Sequence, residues 1–298
     1  MIKKIFLLFL VAIPSPAIAK VLIFTHSHSR PDFIELQDKT FKAFLKDDYD
    51  FVIFNDAPNN NMRIAIEQTC ENLNLCCIRV PQELHQQRND PGSRHIHGIQ
   101  YALATIGFNH DDIAFLIDSD MFLFKPFCIR DFIGSNHIAG QKDVRPHQGD
   151  ISVTYMTPLL VFMNMKTMPN KTTLNFDGGC INGHACDVGG HLHYYFKNNP
   201  TLNIKFTPGV CVTALAENNS QEQLLGLGYN NVTVAWVSSL KNYFDPSDPH
   251  RLQFHGDNHF LHYVAGGSNW NGRSEEYHAK KTRIINQFID KMIEEYAR

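Results

Sequence analysis

Ile113-Ala114-Phe115-Leu116-Ile117-Asp118-Ser119-Asp120-Met121-Phe122-Leu123-Phe124 decides the fold. Five uninterrupted apolar residues read as a buried strand, and two carboxylates stand at its carboxyl end before a second apolar run begins. A D-x-D pair is most often a solvated turn. Here the flanking runs place it in a hydrophobic layer, where unpaired carboxylates are costly and a ligand must compensate. Carboxylate oxygens suit a hard divalent cation, Mn²⁺ or Mg²⁺, that keeps further positions open for other oxygens.

Upstream, Val21 to Thr25, Phe51 to Asn55 and Cys76 to Val80 are compact segments of the same kind. Between them lie stripes at helical spacing: Phe33, Leu36, Phe41, Phe44 and Leu45; Met62 to Leu73; and Ile96 to Ile106. Strand and helix in alternation predict an α/β fold with a mainly parallel sheet flanked by helices. Ligands of such sheets sit beyond the carboxyl ends of the strands, where Asp118 and Asp120 are.

Downstream the pattern loosens. Ile151 to Met165 is long and β-rich, Gly178 to Gly190 is glycine-rich, and a last helix runs from about Ser274 to the C-terminus. No linker divides the chain, which predicts a single domain over 20–298 with two halves, 20–127 and 128–298.

The first nineteen residues have another character: Lys3 and Lys4, apolar residues from Ile5 to Ile13, then Ala17-Ile18-Ala19. That order is the pattern of a cleavable export signal, and the apolar run is short for a bilayer span, with an uncleaved anchor as the alternative. Any membrane contact is expected only there. With 27 basic against 30 acidic residues, no global field favours nucleic acid. Seven cysteines without paired C-x-x-C spacing argue against a zinc ribbon. Cys180 and Cys186 are either a bridge or buried thiols, and the sequons at Asn170, Asn218 and Asn231 decide nothing.

Phe115-Leu116-Ile117-Asp118-Ser119-Asp120-Met121 resembles the D-x-D strand of GT-A glycosyltransferases, metal-dependent enzymes that use nucleotide-sugar donors. The resemblance implies a Rossmann-like sheet with a nucleotide-binding half, 20–127, and an acceptor-binding, metal-completing half, 128–298. It places Asp118 and Asp120 on the ion and Asp118 also at the donor. Thr25 and Asp56, at the ends of the first two strands, match the nucleoside side. Arg94, in the segment opening the helix before the D-x-D strand, matches the diphosphate side.

In the glycogenin-like branch a late motif, H-x-x-G-x-x-K-P-W, supplies a metal histidine and a diphosphate lysine. His262 and Trp270 preserve its eight-residue offset, which implies His262 as third metal ligand with His255 as runner-up. Ala265, Ser268 and Asn269 replace the glycine, lysine and proline. The diphosphate contact then falls to Ser268, Arg273 and the backbone of Gly266 and Gly267.

Asp187 matches the carboxylate such enzymes place beside the anomeric carbon. It is a base in an inverting enzyme and a charge-stabilising group in a retaining one, and both stay open. Its structural alternative is a helix N-cap. The expected activity is transfer of a sugar, from a UDP-sugar by preference, to a hydroxyl on a glycan, lipid or protein. The alternatives are a binding protein that has lost turnover, and a metal hydrolase built on histidines such as His26, His28, His95 and His97, which lack the H-E-x-x-H spacing.

Overall fold

The computed structural model describes residues 20–86, 90–145, 152–241, 251–267 and 272–298. The segment 1–19, expected as an export signal, and Ser268, Asn269 and Trp270 of the late motif fall outside them. In chain order the elements begin β1 (Val21–Ser27), α1 (Pro31–Phe44), β2 (Tyr49–Asn55), α2 (Asn60–Leu73), β3 (Cys76–Arg79), α3 (Pro91–Ala102) and β4 (Ile113–Ile117). They continue through β5 (Met121–Leu123), α4 (Ile129–Ile133), β6 (Ile138–Arg145), β7 (Val153–Asn164), β8 (Gly179–Ile181), β9 (His184–Cys186) and α5 (Leu192–Asn198). The remainder is β10 (Ile204–Thr207), β11 (Val210–Cys211), α6 (Val212–Asn218), α7 (Gln221–Gly226), α8 (Asn231–Ser239), β12 (Leu252–His255), β13 (Phe260–Tyr263) and α9 (Glu275–Tyr296).

Seven strands form the main sheet in the order β10-β6-β7-β4-β1-β2-β3. Only β7 runs against the rest, antiparallel to both β4 and β6. The fold is therefore α/β with a mainly parallel sheet, as the alternation of patterns predicts. Successive side chains of a strand point to opposite faces, so apolar runs feed two cores. Ile23, Ile53, Phe115 and Ile117 join one with α1, α2, α8 and α9. Leu22, Phe24, Val52, Phe54, Ala114 and Leu116 join the other with α3 and α5.

A second sheet, β11-β12-β13-β5, is not anticipated by the sequence patterns. The apolar run after the aspartates pairs antiparallel with β13, in the register Leu123 to Phe260, Phe122 to Leu261 and Met121 to His262. That register lays His262 beside the D-x-D turn.

Three helix boundaries follow from local chemistry. The Asp90 carboxylate accepts the Ser93 N–H at 3.0 Å and Pro91 starts α3, the usual N-terminal pairing. The predicted continuation to Ile106 loosens into a π-turn over Leu103–Gly107. Ser274 caps α9. In the hairpin of β8 and β9, Cys180 pairs with Ala185 and Cys186 with Gly179, so the two cysteines point to opposite faces and both are free thiols, one exposed and one buried. No described helix is long and apolar enough to cross a membrane.

Candidate active site

The D-x-D turn is held from several sides. The Asp118 N–H donates to Leu159 O at 2.8 Å, and Tyr263 N–H donates to Asp120 O at 2.9 Å. From α1 the fully buried Gln37 donates its amide to the carbonyls of Asp118 (2.8 Å) and Met121 (3.0 Å). Gln37 was not singled out from the sequence; its one signal is a polar residue on the apolar stripe of α1.

Asp118, Asp120 and His262 each bring a ligand atom to within 4.8 Å of the other two. The Nε2 of His262 lies 3.3 Å from Asp120 Oδ1, and both side chains are largely buried. Burial on its own would raise the Asp120 carboxyl, but the His262 imidazole and the Gly267 N–H outweigh it and hold the carboxyl below its ordinary value. Two carboxylates and one imidazole, converging at a strand end, form a donor set suited to a divalent ion such as Mn²⁺. His255 is not part of this group. It is buried with its ring centroid 5.3 Å from that of His262, and its Nε2 meets the Gln253 amide oxygen at 3.2 Å.

The turn after β13 folds back onto the aspartates. Gly267 N–H donates to Asp120 Oδ2 at 3.1 Å, and Gly266 N–H donates to Tyr263 O at 2.8 Å. The two N–H groups expected to approach a diphosphate are thus engaged within the protein, and the one on Gly267 orients a metal-side carboxylate. Side chains would crowd here: a Cβ on Gly266 would lie 2.4 Å from the Tyr263 ring, and one on Gly267 3.0 Å from Ser119 Oγ. The loop after β1 ties the turn down, with Ser29 Oγ donating to Gly267 O (2.8 Å) and Arg30 Nη1 to Gly266 O (3.0 Å). Arg273 is exposed, its guanidinium 5.4 Å from the Tyr277 ring centre.

Of the two strand-end candidates Thr25 and Asp56, Thr25 lies inside β1, which runs two residues beyond the predicted end, and is fully buried. Asp56 follows the end of β2 directly and is the hub of a polar network. Its Oδ1 receives Arg94 Nη2 and His85 Nε2, both at 2.8 Å, and Gln82 Nε2 at 3.3 Å. Arg94, expected at the diphosphate, reaches from the first turn of α3 to Asp56 just beyond β2.

Asp187 is exposed and precedes α5 by too many residues to cap it. The N-cap position belongs to His191, and Asp187 Oδ1 instead accepts the N–H of its neighbour Val188 at 2.7 Å. The loop packs tightly on β7, since a Cβ on Gly189 would lie 2.0 Å from Met156 O. The buried Tyr155 hydroxyl accepts the Asp187 N–H at 3.3 Å and donates to Asp143 Oδ2 at 2.7 Å. Near the start of α3, His95 has its Nε2 3.0 Å from Asp118 Oδ1. Burial opposes a charge on His95, but Asp118, then Asp120 and Asp187, outweigh it and raise its pKa.

No known family profile matches the chain, and no curated protein is recognisably related to it. Among solved structures it is similar to the mannosyltransferase PcManGT from Pyrobaculum calidifontis in complex with GDP-Man and Mn²⁺, at 14% identity over 65% of this chain and 56% of that one, TM-score 0.41. It is also similar to the galactosyltransferase LgtC with donor and acceptor sugar analogues, at 11% identity over 49% and 58%, TM-score 0.34. A third is core-mannan synthase A from Aspergillus fumigatus in its Mn/GDP form, at 8% identity over 52% and 63%, TM-score 0.36. The chain spans less than two thirds of the length of each of these three. With overlaps this partial, the functional reading rests on the site itself.

Proposed function

We propose that the protein is a metal-dependent glycosyltransferase of the GT-A type that moves a sugar from a nucleoside diphosphate to a hydroxyl acceptor. The observation that carries the reading is the convergence of Asp118, Asp120 and His262 at the carboxyl end of β4, from strands of two different sheets. A divalent ion bound there supplies electrostatic neutralisation of the departing diphosphate. The protein's own part is to fix the ligands: Gln37 and the backbone of Leu159 hold the turn, and Gly267 N–H and His262 set the Asp120 carboxylate. In this reading the Asp56 network would serve the nucleoside, and Asp187, whose charge reaches His95, the sugar.

A UDP-sugar donor, Mn²⁺ rather than Mg²⁺, a glycan, lipid or protein acceptor, and entry into an export route are the finer parts of this proposal. Incubation with a panel of UDP- and GDP-sugars and Mn²⁺ should release nucleotide, and Asp120→Ala should release none. Equal release by both proteins would remove the metal role. Product NMR on an active pair assigns the anomeric outcome and with it the role of Asp187. Met1 at the start of the mature protein, found by N-terminal sequencing, would remove cleavage of the signal and leave the uncleaved anchor.

A second reading, a binding protein without turnover, is favoured by one observation: Arg94, the expected diphosphate cation, is held by Asp56. Metal-dependent UDP binding without product over the donor panel would select it.

A further inference from the structure

Helix α3 reaches over the carboxyl ends of three parallel strands within little more than one turn. Arg94 meets Asp56 beyond β2, and His95 meets Asp118 beyond β4. One turn further, Gly98 lies against His26 of β1, where a Cβ would stand 2.7 Å from the imidazole Cδ2. The helix approaches this closely because position 98 has no side chain.

His95 is unlike the other residues on this face. It belongs to neither hydrophobic core and its side chain keeps about a quarter of its surface exposed. The His26 ring stands edge-on behind it, centroids 6.0 Å apart, and blocks retreat toward β1. Among the described residues, His95 is the one side chain joined to the Asp118 carboxylate. Asp120, by contrast, has two such contacts, His262 and Gly267 N–H.

We infer that His95 is a positioning residue for the metal site: its Nε2–H holds Oδ1 of Asp118, so that the carboxylate turns its other oxygen toward the ion beside Asp120 and His262. The inference rests on the metal reading of that triad. A carboxylate at a turn has two free torsions, and one directional hydrogen bond removes most of that freedom before the ion arrives. Hydrogen bonds of this kind to metal ligands are typically worth 10–100-fold in metal affinity.

The test is Mn²⁺ binding to the full chain by EPR titration, for the wild type, His95→Ala, His95→Gln and Gly98→Ala, with far-UV circular dichroism to follow the fold. His95→Ala should bind roughly 10–100-fold more weakly with an unchanged spectrum. His95→Gln, whose amide N–H reaches about as far as Nε2–H, should recover most of that loss. Gly98→Ala should also weaken binding, because a Cβ there pushes α3 and His95 away from Asp118. Unchanged affinity in His95→Ala, or a glutamine variant as weak as the alanine one, would overturn the inference while leaving the triad's metal role in place. Spin-echo modulation from two imidazole nitrogens in the wild type and one in His95→Ala would overturn it differently, by making His95 a ligand. A wild type that binds no Mn²⁺ would remove the metal reading itself.

Discussion

The Nε2 of His262 stands 3.3 Å from Oδ1 of Asp120 because β13 pairs with β5, the three-residue strand that directly follows the aspartates. The backbone enforces the meeting as well, since Tyr263 N–H donates to Asp120 O at 2.9 Å. The third ligand is thus carried by a hydrogen-bonded register.

A site so built should bind its ion in the native state alone, and mass action then links metal to stability. At Mn²⁺ 100-fold above its Kd the wild type should gain about 2.7 kcal/mol, a rise in Tm on the order of 5 °C. Asp120→Asn and His262→Ala should show no metal-dependent shift in a calorimetric scan. A shift equal to that of the wild type in either variant would place the ion elsewhere.

The two glycines of the turn after β13 should differ sharply. Gly266→Ala puts its methyl 2.4 Å from the buried Tyr263 ring and should cost about 1–3 kcal/mol by urea unfolding. Gly267→Ala meets only the Ser119 hydroxyl at 3.0 Å, which is able to rotate, and should cost under about 1 kcal/mol. Its effect belongs in Mn²⁺ affinity, because the Gly267 N–H sets Asp120.

Asp56 and Arg94 should couple in stability more than in ligand binding. Both side chains are largely buried, and removing one takes a close partner from the other while His85 and Gln82 remain, a loss of roughly 1–3 kcal/mol. A double-mutant cycle with Asp56→Ala and Arg94→Ala, read by urea unfolding, should give a coupling above about 1 kcal/mol. Arg94→Ala with wild-type stability but weakened UDP affinity by calorimetry would return this arginine to the diphosphate.

Acid should destabilise the protein through two buried imidazoles. Burial, with the nearby His95, lowers His26 to about 3, and burial, with His262, lowers His255 to about 2. Both depart downward from an ordinary value of 6.5, so between pH 6.5 and these values the unfolded chain binds protons that the native one does not. Their stabilisation is complete above pH 6.5 and is lost progressively as pH falls, by up to about 1.4 kcal/mol per pH unit for each group. Urea unfolding at pH 7 and pH 5 should show this slope, and His26→Phe, which packs a neutral ring, should flatten it. An equal slope in that variant would assign the acid sensitivity elsewhere.

The sequence reveals the centre of the main sheet because β1, β2 and β4 are each a run of apolar residues that both faces bury, whereas β6 and β10, half-exposed toward its edge, leave no such signature. Asp118 and Asp120 are legible for the same reason, as charges interrupting such a run. The small sheet is not legible. Its strands have two to four residues, too few for a period to emerge, and what holds them is pairing with distant segments. His262 was found through the spacing of a family motif, yet how it reaches Asp120 is a fact of strand register. Asp56 and Arg94 each look like a ligand residue alone; that they neutralise one another follows only from the fold, which brings the start of α3 within reach of the residue after β2. The cap alternative for Asp187 fails because the turn through Gly189 and Gly190 defers the helix to Leu192.

The pairing of β5 with β13 also makes the ion a witness to the whole chain. A polypeptide halted after Thr207 would hold every strand of the seven-stranded sheet, yet would have only two of the three ligands and a β5 edge without its neighbour. Such a fragment would also lack Trp236, Phe254, Phe260 and Phe288, which fill one of the two cores, so it would lose packing and metal together. Loading would thus report an intact chain, because the strand that delivers His262 to the ion is also one that closes the core beneath it.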